Sequence, residues 1–379
     1  MPNQNETIEE NDNLSLTKKY MSIADTAPNT YEFIQGTILT SVPVQPKDFY
    51  NEAMTKSEIN PELIQILRYL YRMTYADFGM ILKQAELCRR EGAFQNIVID
   101  AGYLKKQVDK LVHLGLVNRR TFVDEQEYRK VTNSGQNPRA NWSSNDKITC
   151  YCLTDRGAGF FKRQTEATGF IEECLFELPA VEVSRRLTCN AVTTYFAKTF
   201  MGLGEIHYCE PTRFGKYKRD MLYGCFITED KKQAVVFEPI MQYRDILIQS
   251  AEELKQHFEE RGYFIRNIID SLKEKYEDIN VALCLVFSKG GEIRYAIENF
   301  YFDVCEKYYL RDVKEVNTLL ENNVPFDELL AVSEPLVRHF RDNTSAPATF
   351  FRLMLKLKDD GTIRITPRQA FPLFLRRPE

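Results

Sequence analysis

The stretch DAGYLKKQVDKLVHLGLVNRR, residues 100–120, decides how the first half of the chain is read. Asp100 is a good helix cap, because its short carboxylate can accept from an unpaired first-turn N–H. Leu104, Val108, Leu111, Val112 and Leu114 follow at helical spacing and make one buried stripe. Tyr103, Lys105, Lys106 and Lys110 fall largely outside that stripe. Gly115 is a stop signal, and Leu116-Val117-Asn118-Arg119-Arg120 then reads as the start of a strand.

Upstream, residues 61–84 have the same helical rhythm, with Asn60 as cap and Pro61 in the first turn. Leu63, Ile64, Ile66, Leu67, Leu70 and Tyr71 share one face, and a second short helix is expected over about 75–82. Residues 85–98 are a charged connection broken at Gly92. Downstream, residues 148–154 (ITCYCLT) supply a partner strand, and Asp155-Arg156-Gly157 leads into another helix from about Ala158. The polar segment 124–146, which holds Arg129, Lys130, Arg139 and the single Trp142, is expected to be a loop between the two strands.

Helix, helix, basic helix, hairpin and helix, in that order, predict a winged helix-turn-helix over residues 58–168. Such a helix fits the major groove of double-stranded DNA, where outward lysines meet phosphates or guanine edges. A basic hairpin follows the backbone or reaches the minor groove. The DNA-contact candidates are Tyr103, Lys105, Lys106, Lys110, Arg119, Arg120, Arg129, Lys130 and Arg139. Winged helices also bind proteins, so protein recognition stays open for this half.

The second half reads as helix (about 179–200), three strands (205–210, 219–227, 233–240), a long helix (about 243–275) and an apolar strand, VALCLVFS, over 281–288. This αβββαβ order over 179–290 is that of restriction-endonuclease-like PD-(D/E)XK nucleases. The fold class expected for the whole chain is therefore α+β, a winged helix-turn-helix followed by a nuclease-like α/β domain. In those nucleases an Asp on the second strand and a Glu on the third hold Mg²⁺, and a Lys two residues beyond the Glu serves the attacking water. Asp220 and Glu238 are the candidate catalytic and metal-holding pair. The lysine position is Ile240, which can take no proton and stabilise no phosphate; Lys216 and Lys218 are the substitutes within reach. Glu205, Glu210 and Glu182 are further acidic candidates. Without the lysine, a degenerate nuclease-like fold, kept for binding DNA or for assembly, is the favoured expectation. Residues 291–379 are expected to hold helices near 292–305 and 325–340, then a hairpin over 350–366 turning at Asp360-Gly361.

Composition narrows the class. Hydrophobic residues are 44% and charged residues 27% of 379, ordinary for a folded protein of two or three domains. No run approaches the roughly 20 apolar residues of a membrane span. Residues 1–57 are acidic and irregular, unlike an export signal, and are expected to form an arm. Nine cysteines with no CxxC pair predict reduced core thiols and a cytoplasmic protein. Cys150 and Cys152, one residue apart on a strand, fall on the same face. The four histidines are scattered and lack metal-ligand spacing. GxxxxGK[ST] and GxGxxG are absent, which removes ATPase and dinucleotide readings, and no GxSxG context or other local signature supports a Ser/His/Asp or Cys/His triad. The net charge of −4 argues against wholesale coating of nucleic acid but leaves room for a local basic face.

Together these features resemble the replication-relaxation family of plasmids and conjugative elements of Gram-positive bacteria. The residues that carry the resemblance are Tyr151-Cys152-Leu153-Thr154-Asp155-Arg156-Gly157, the helix around Arg185–Thr199, Arg219-Asp220-Met221-Leu222, and Val235-Val236-Phe237-Glu238. It spans about residues 60–290 and departs at the long 124–146 segment, at the missing Pro before Asp220, and at Pro239-Ile240. The resemblance implies a role in replication or DNA processing of a mobile element, acting on double-stranded DNA. Protein partners in a replication or conjugation complex, and a homodimer, are compatible with it. Two alternatives differ in class: a Mg²⁺-dependent endonuclease using Asp220 and Glu238, and a protein-interaction scaffold.

Overall fold

The computed structural model describes residues 29–31, 36–41, 58–87, 100–134, 148–165, 178–200, 204–207, 222–240, 251–287, 326–335, 337–338, 350–357 and 363–370. The chain is α+β, with two sheets and two compact units. The first unit comprises Phe33–Asn190 with His207–Pro211; the second comprises Met1–Glu32, Ala191–Ile206 and Thr212–Glu379.

In the first unit the chain runs β1 (Thr37–Ser41), α1 (Pro61–Met73), β2 (Ala76–Asp77), α2 (Phe78–Leu87), α3 (Ala101–His113), β3 (Val117–Asp124), α4 (Glu125–Asn133), β4 (Thr149–Leu153) and α5 (Asp155–Thr165). Asn60 caps α1 by accepting from the Leu63 N–H at 2.9 Å, with Pro61 next in the helix. Asp77 caps α2 through the Met80 N–H at 2.7 Å. The strands form an antiparallel sheet in the order β1-β3-β4-β2. Leu63, Ile66, Leu67 and Leu70 of α1 and Leu104, Val108 and Leu111 of α3 are fully buried and close the core.

Three expectations for this unit are corrected. The 1–57 arm is not irregular throughout: Thr37–Ser41 forms β1, paired along its length with β3 from Thr37↔Asp124 to Ser41↔Arg120. The 124–146 segment is not all loop, because α4 occupies Glu125–Asn133. Asp124 caps it through the Glu127 N–H at 2.9 Å, and Arg129 pairs with Glu125 one turn away. Only Val131 of this helix is buried, which explains how a helix hides in a sequence without aliphatic rhythm. The second helix also begins later than expected, at Phe78, because Ala76 and Asp77 pair with Tyr151 and Cys150 as a short strand.

The second unit takes the end of α6 (Ala180–Phe200), within which the division between units falls, and continues through β5 (Gly204–His207), β6 (Gly224–Thr228), β7 (Gln233–Ile240), α7 (Ala251–Lys275), β8 (Asn280–Phe287), β9 (Glu328–Ser333), β10 (Phe350–Leu357) and β11 (Ile363–Ala370). The sheet order is β11-β10-β9-β8-β7-β6-β5. β7, β8 and β9 are mutually parallel, whereas β6 and β10 run against their neighbours β7 and β9. The parallel strands are continuous apolar runs, as expected where both faces are covered; Val281 to Val286 are all buried. Gly224 is a close approach to α6, since a Cβ there would lie 2.5 Å from the Thr193 Oγ1.

The helix expected over 325–340 is corrected as well. Residues 328–333 (ELLAVS) form β9, parallel to β8, and of the residues that follow, the described 334–335 and 337–338 are helical. Asp327 sets the start of that strand: its carboxylate accepts from the Val281 N–H at 2.7 Å, and its own N–H donates to the Val281 carbonyl at 2.8 Å. The N-terminal residues Asn29–Tyr31 also belong here. Thr30 donates from its N–H and hydroxyl to the buried Glu334 carboxylate, at 2.9 and 3.1 Å.

Candidate functional site

The helix α3 is held at both ends. Asp100 accepts from the Tyr103 N–H at 2.8 Å. At the other end Gly115, with φ of 68°, donates to Val112 at 3.0 Å while Leu116 donates to Leu111 at 3.1 Å. This double closure needs a left-handed residue just past the helix, which glycine adopts without a Cβ penalty. It turns α3 directly into β3. The Thr154 hydroxyl donates to the Gly115 carbonyl at 2.8 Å and accepts from the Gly157 N–H at 2.9 Å, joining that turn to the start of α5.

With Leu104, Val108, Leu111 and Val112 buried, helical geometry puts Gly102, Lys106 and His113 at the centre of the opposite face, and all three are exposed. Lys106 makes no ion pair among the described residues. Tyr103 and Lys110 border the stripe and are half-buried; the Lys110 ammonium donates to the Glu58 carbonyl at 2.6 Å. Lys105 lies toward the other border, paired with Asp109 and 5.7 Å from the centre of the Tyr151 ring. His113 was not among the sequence candidates. Its signal was the seven-residue spacing from Lys106, two helical turns along the same face.

Among the hairpin candidates, Arg119 is half-buried on β3 opposite Tyr151 of β4. Arg120 is committed inward. Its guanidinium donates to the Tyr75 hydroxyl at 2.9 Å, to the Leu39 carbonyl at 3.3 Å and to the Leu178 carbonyl at 3.4 Å. Burial raises the Tyr75 phenol well above its ordinary pKa, so it remains a neutral hydroxyl beside the cation. Cys150 and Cys152 lie next to this cluster, both buried and reduced. Desolvation pushes the Cys152 thiol up to about 12 and raises Cys150 as well, which makes them inert packing groups. Arg129 and Lys130 are exposed on α4, the former paired with Glu125; Arg139 and Trp142 lie outside the described residues.

In the second unit Glu238 is 2% exposed on β7, in register with Leu285 of β8. The β6 register stops at Phe237, two residues before Pro239, which has no N–H to give a ladder. Asp220, Lys216, Lys218 and Glu210 lie outside the described residues, and of Glu205 only the backbone, in β5, is described. Mg²⁺ needs several oxygen ligands at one point. Among the described residues no three His, Cys, Asp or Glu gather in that way, and Glu238 is the only described member of the expected pair. Among the described residues, no helix is long and apolar enough to cross a membrane.

No family model matches the chain, and no curated protein or solved structure matches it.

Proposed function

We propose that the first unit is a winged helix-turn-helix that binds double-stranded DNA, with α3 as its recognition helix. The observation that carries this is the order α1-β2-α2-α3-β3-β4-α5, in which α3 buries its apolar stripe and leaves Lys106 and His113 outward. A helix so presented fits the major groove, and Lys106 then meets phosphate or a guanine edge. Arg119, Arg129 and Lys130 supply backbone contacts from the hairpin and α4. Arg120 serves the fold, not the DNA. The αβββαβ order of α6 to β8 supports a nuclease-like second unit that has lost its chemistry, since Ile240 stands where the lysine belongs. The resemblance drawn from the sequence extends the reading to replication or DNA processing of a mobile element in the cytoplasm.

The test is a binding titration on random-sequence duplex as a function of salt. Wild-type affinity is expected to fall steeply with salt, because bound cations release condensed counterions. Lys106→Glu is expected to weaken binding roughly tenfold or more and to lower the slope of log Kobs against log salt by about 1. Lys106 is exposed and unpaired among the described residues, so the variant keeps the fold. Unchanged affinity and slope would remove α3 as the DNA-reading helix. With Mg²⁺ or Mn²⁺ added, supercoiled plasmid is expected to stay intact; nicking that disappears in Asp220→Ala would instead establish an endonuclease.

A further inference from the structure

The outward face of α3 is not purely cationic. Gly102, Lys106, Asp109 and His113 are all exposed, opposite the buried Leu104, Val108, Leu111 and Val112. At 3.6 residues per turn these four positions fall within an arc of about 60°. A carboxylate therefore stands in the middle of the face, one turn from Lys106 and one turn from His113. The Asp109 side chain is 48% exposed, and its Oδ1 accepts from the Lys105 ammonium. Lys105 in turn lies 5.7 Å from the centre of the Tyr151 ring, at the border of the face. The Asp109 Oδ2 accepts no hydrogen bond among the described residues. The carboxylate is thus anchored through one oxygen and keeps the other for an outside donor.

On a face that meets DNA, a central carboxylate needs a reason. Every phosphate repels it, so a surface that only follows the backbone binds more tightly without it. The floor of the major groove differs, because it offers donors as well as acceptors. Cytosine presents its N4 amino group there, and a carboxylate accepts from it. Adenine also donates, from N6, but its neighbouring N7 is an acceptor, so an amide suits adenine and a carboxylate does not. Guanine presents the N7 and O6 acceptors, the counterpart of an ammonium. Asp109 and Lys106 are an acceptor and a donor about 4.5 Å apart along the helix axis. That is a little more than the roughly 3.4 Å rise of one base pair, so the two address neighbouring pairs. With no side chain at Gly102, the head of the same face offers nothing to hold the helix off the groove floor.

We propose that Asp109 is a specificity-determining residue of α3, accepting from the N4 amino group of a cytosine in the major groove. Lys106 donates to the O6 and N7 of a guanine in a neighbouring pair. This rests on the reading of α3 as the helix that enters the groove, and it makes that site selective for sequence. A duplex without the cytosine leaves the carboxylate facing an acceptor or a methyl group among the phosphates, and is rejected on that account.

The test is selection by the full chain from a double-stranded DNA library with a randomised core, followed by titration of the enriched duplex. The wild type is expected to enrich cytosine at one fixed position with guanine in a neighbouring pair. Changing that cytosine is expected to weaken binding roughly tenfold. Asp109→Asn, which keeps the shape of the side chain, is expected to move the preference at that position from cytosine to adenine. Asp109→Ala is expected to lose the preference there and to bind random-sequence duplex as tightly as the wild type or more so, because the repulsion goes with the carboxylate. Each variant gives up one exposed ion pair, so its unfolding midpoint is expected to stay within about 2 °C of the wild type. Enrichment of the same bases by all three proteins overturns the proposal and leaves α3 as the DNA-binding helix. So does wild-type binding that enriches no base, the behaviour of a surface that follows only the backbone. A wild type that binds no duplex at low salt overturns the proposal and the reading of α3 together.

Discussion

Gly157→Ala is expected to destabilise the first unit by about 3 kcal/mol or more, lowering its unfolding midpoint by roughly 10 °C. Gly157 is in the first turn of α5, where a Cβ would lie 1.9 Å from the Leu116 carbonyl oxygen and 2.8 Å from its carbon. Relaxed contacts between heavy atoms lie near 3.5 Å. Leu116 has little room to yield. Its N–H closes α3, its carbonyl accepts from the Thr154 N–H at 3.1 Å, and Val117 beside it pairs with Leu153. Relief would have to break the junction of α3, β3 and α5 that positions the proposed DNA-binding face. Gly159, two residues along, is the control. A Cβ there meets only the Arg163 guanidinium, at 3.3 Å, the movable end of a long side chain. Gly159→Ala is therefore expected to be neutral or to gain up to about 1 kcal/mol of helix propensity. Chemical unfolding of both variants, following the transition of the first unit, decides the matter. Equal stabilities would mean that the α5–Leu116 contact is looser than 1.9 Å implies.

That junction was half legible in the sequence. Gly115 announced itself as a helix stop, and Asp100 and Asn60 as caps, because these are local effects carried by one or two residues. The need for glycine at 157 was not legible: it comes from a carbonyl some 40 positions earlier in the chain that only the fold brings near. The same divide runs through the rest. That β10 and β11 form a hairpin follows from their local sequence, whereas the turn expected at Asp360-Gly361 lies outside the described residues. β9 lies where the sequence alone predicts helix, because ELLAVS is a short apolar run whose period decides nothing until β8 lies beside it. β1 was missed for a similar reason, since TILTS gains its meaning from β3. The helix α4 does carry a local signal, Asp124 followed three residues later by Glu127, a capping pattern ahead of a polar helix. Among the site residues, the outward placement of Lys106 was visible from periodicity, whereas the Lys110 bond to the Glu58 carbonyl was not. The inward commitment of Arg120 was not, because it depends on Tyr75, Leu39 and Leu178 meeting it from elsewhere in the chain.

Asn190→Leu is the second large effect expected, a loss of about 2–3 kcal/mol from the first unit. Asn190 is fully buried on α6, and its amide donates to the Met73 carbonyl at 2.9 Å and the Tyr75 carbonyl at 2.7 Å. Those carbonyls flank Thr74, which has φ of 62° and ψ of −53°. The Tyr75 N–H returns to the Met73 carbonyl at 2.7 Å, closing a three-residue turn of the strained, positive-φ kind. A β-branched residue there stores roughly 1–3 kcal/mol. The strain has a structural use, because the turn swings the chain from α1 into β2, where Ala76 meets Tyr151 and Asp77 caps α2. Asn190 is the clamp that holds it. Leucine has the same branched shape, though it is bulkier, and removes both donors, leaving the Tyr75 carbonyl without that bond and the strain less opposed. Thr74→Gly is the diagnostic partner. Glycine takes positive φ freely, and the substitution also removes a Thr74 hydroxyl that is buried with no hydrogen-bond partner among the described residues. It is expected to be neutral or stabilising alone and to recover part of the Asn190→Leu loss, with a coupling energy above about 0.5 kcal/mol. Strictly additive effects in that double-mutant cycle would show that Asn190 stabilises α6 packing in general and does not clamp the turn.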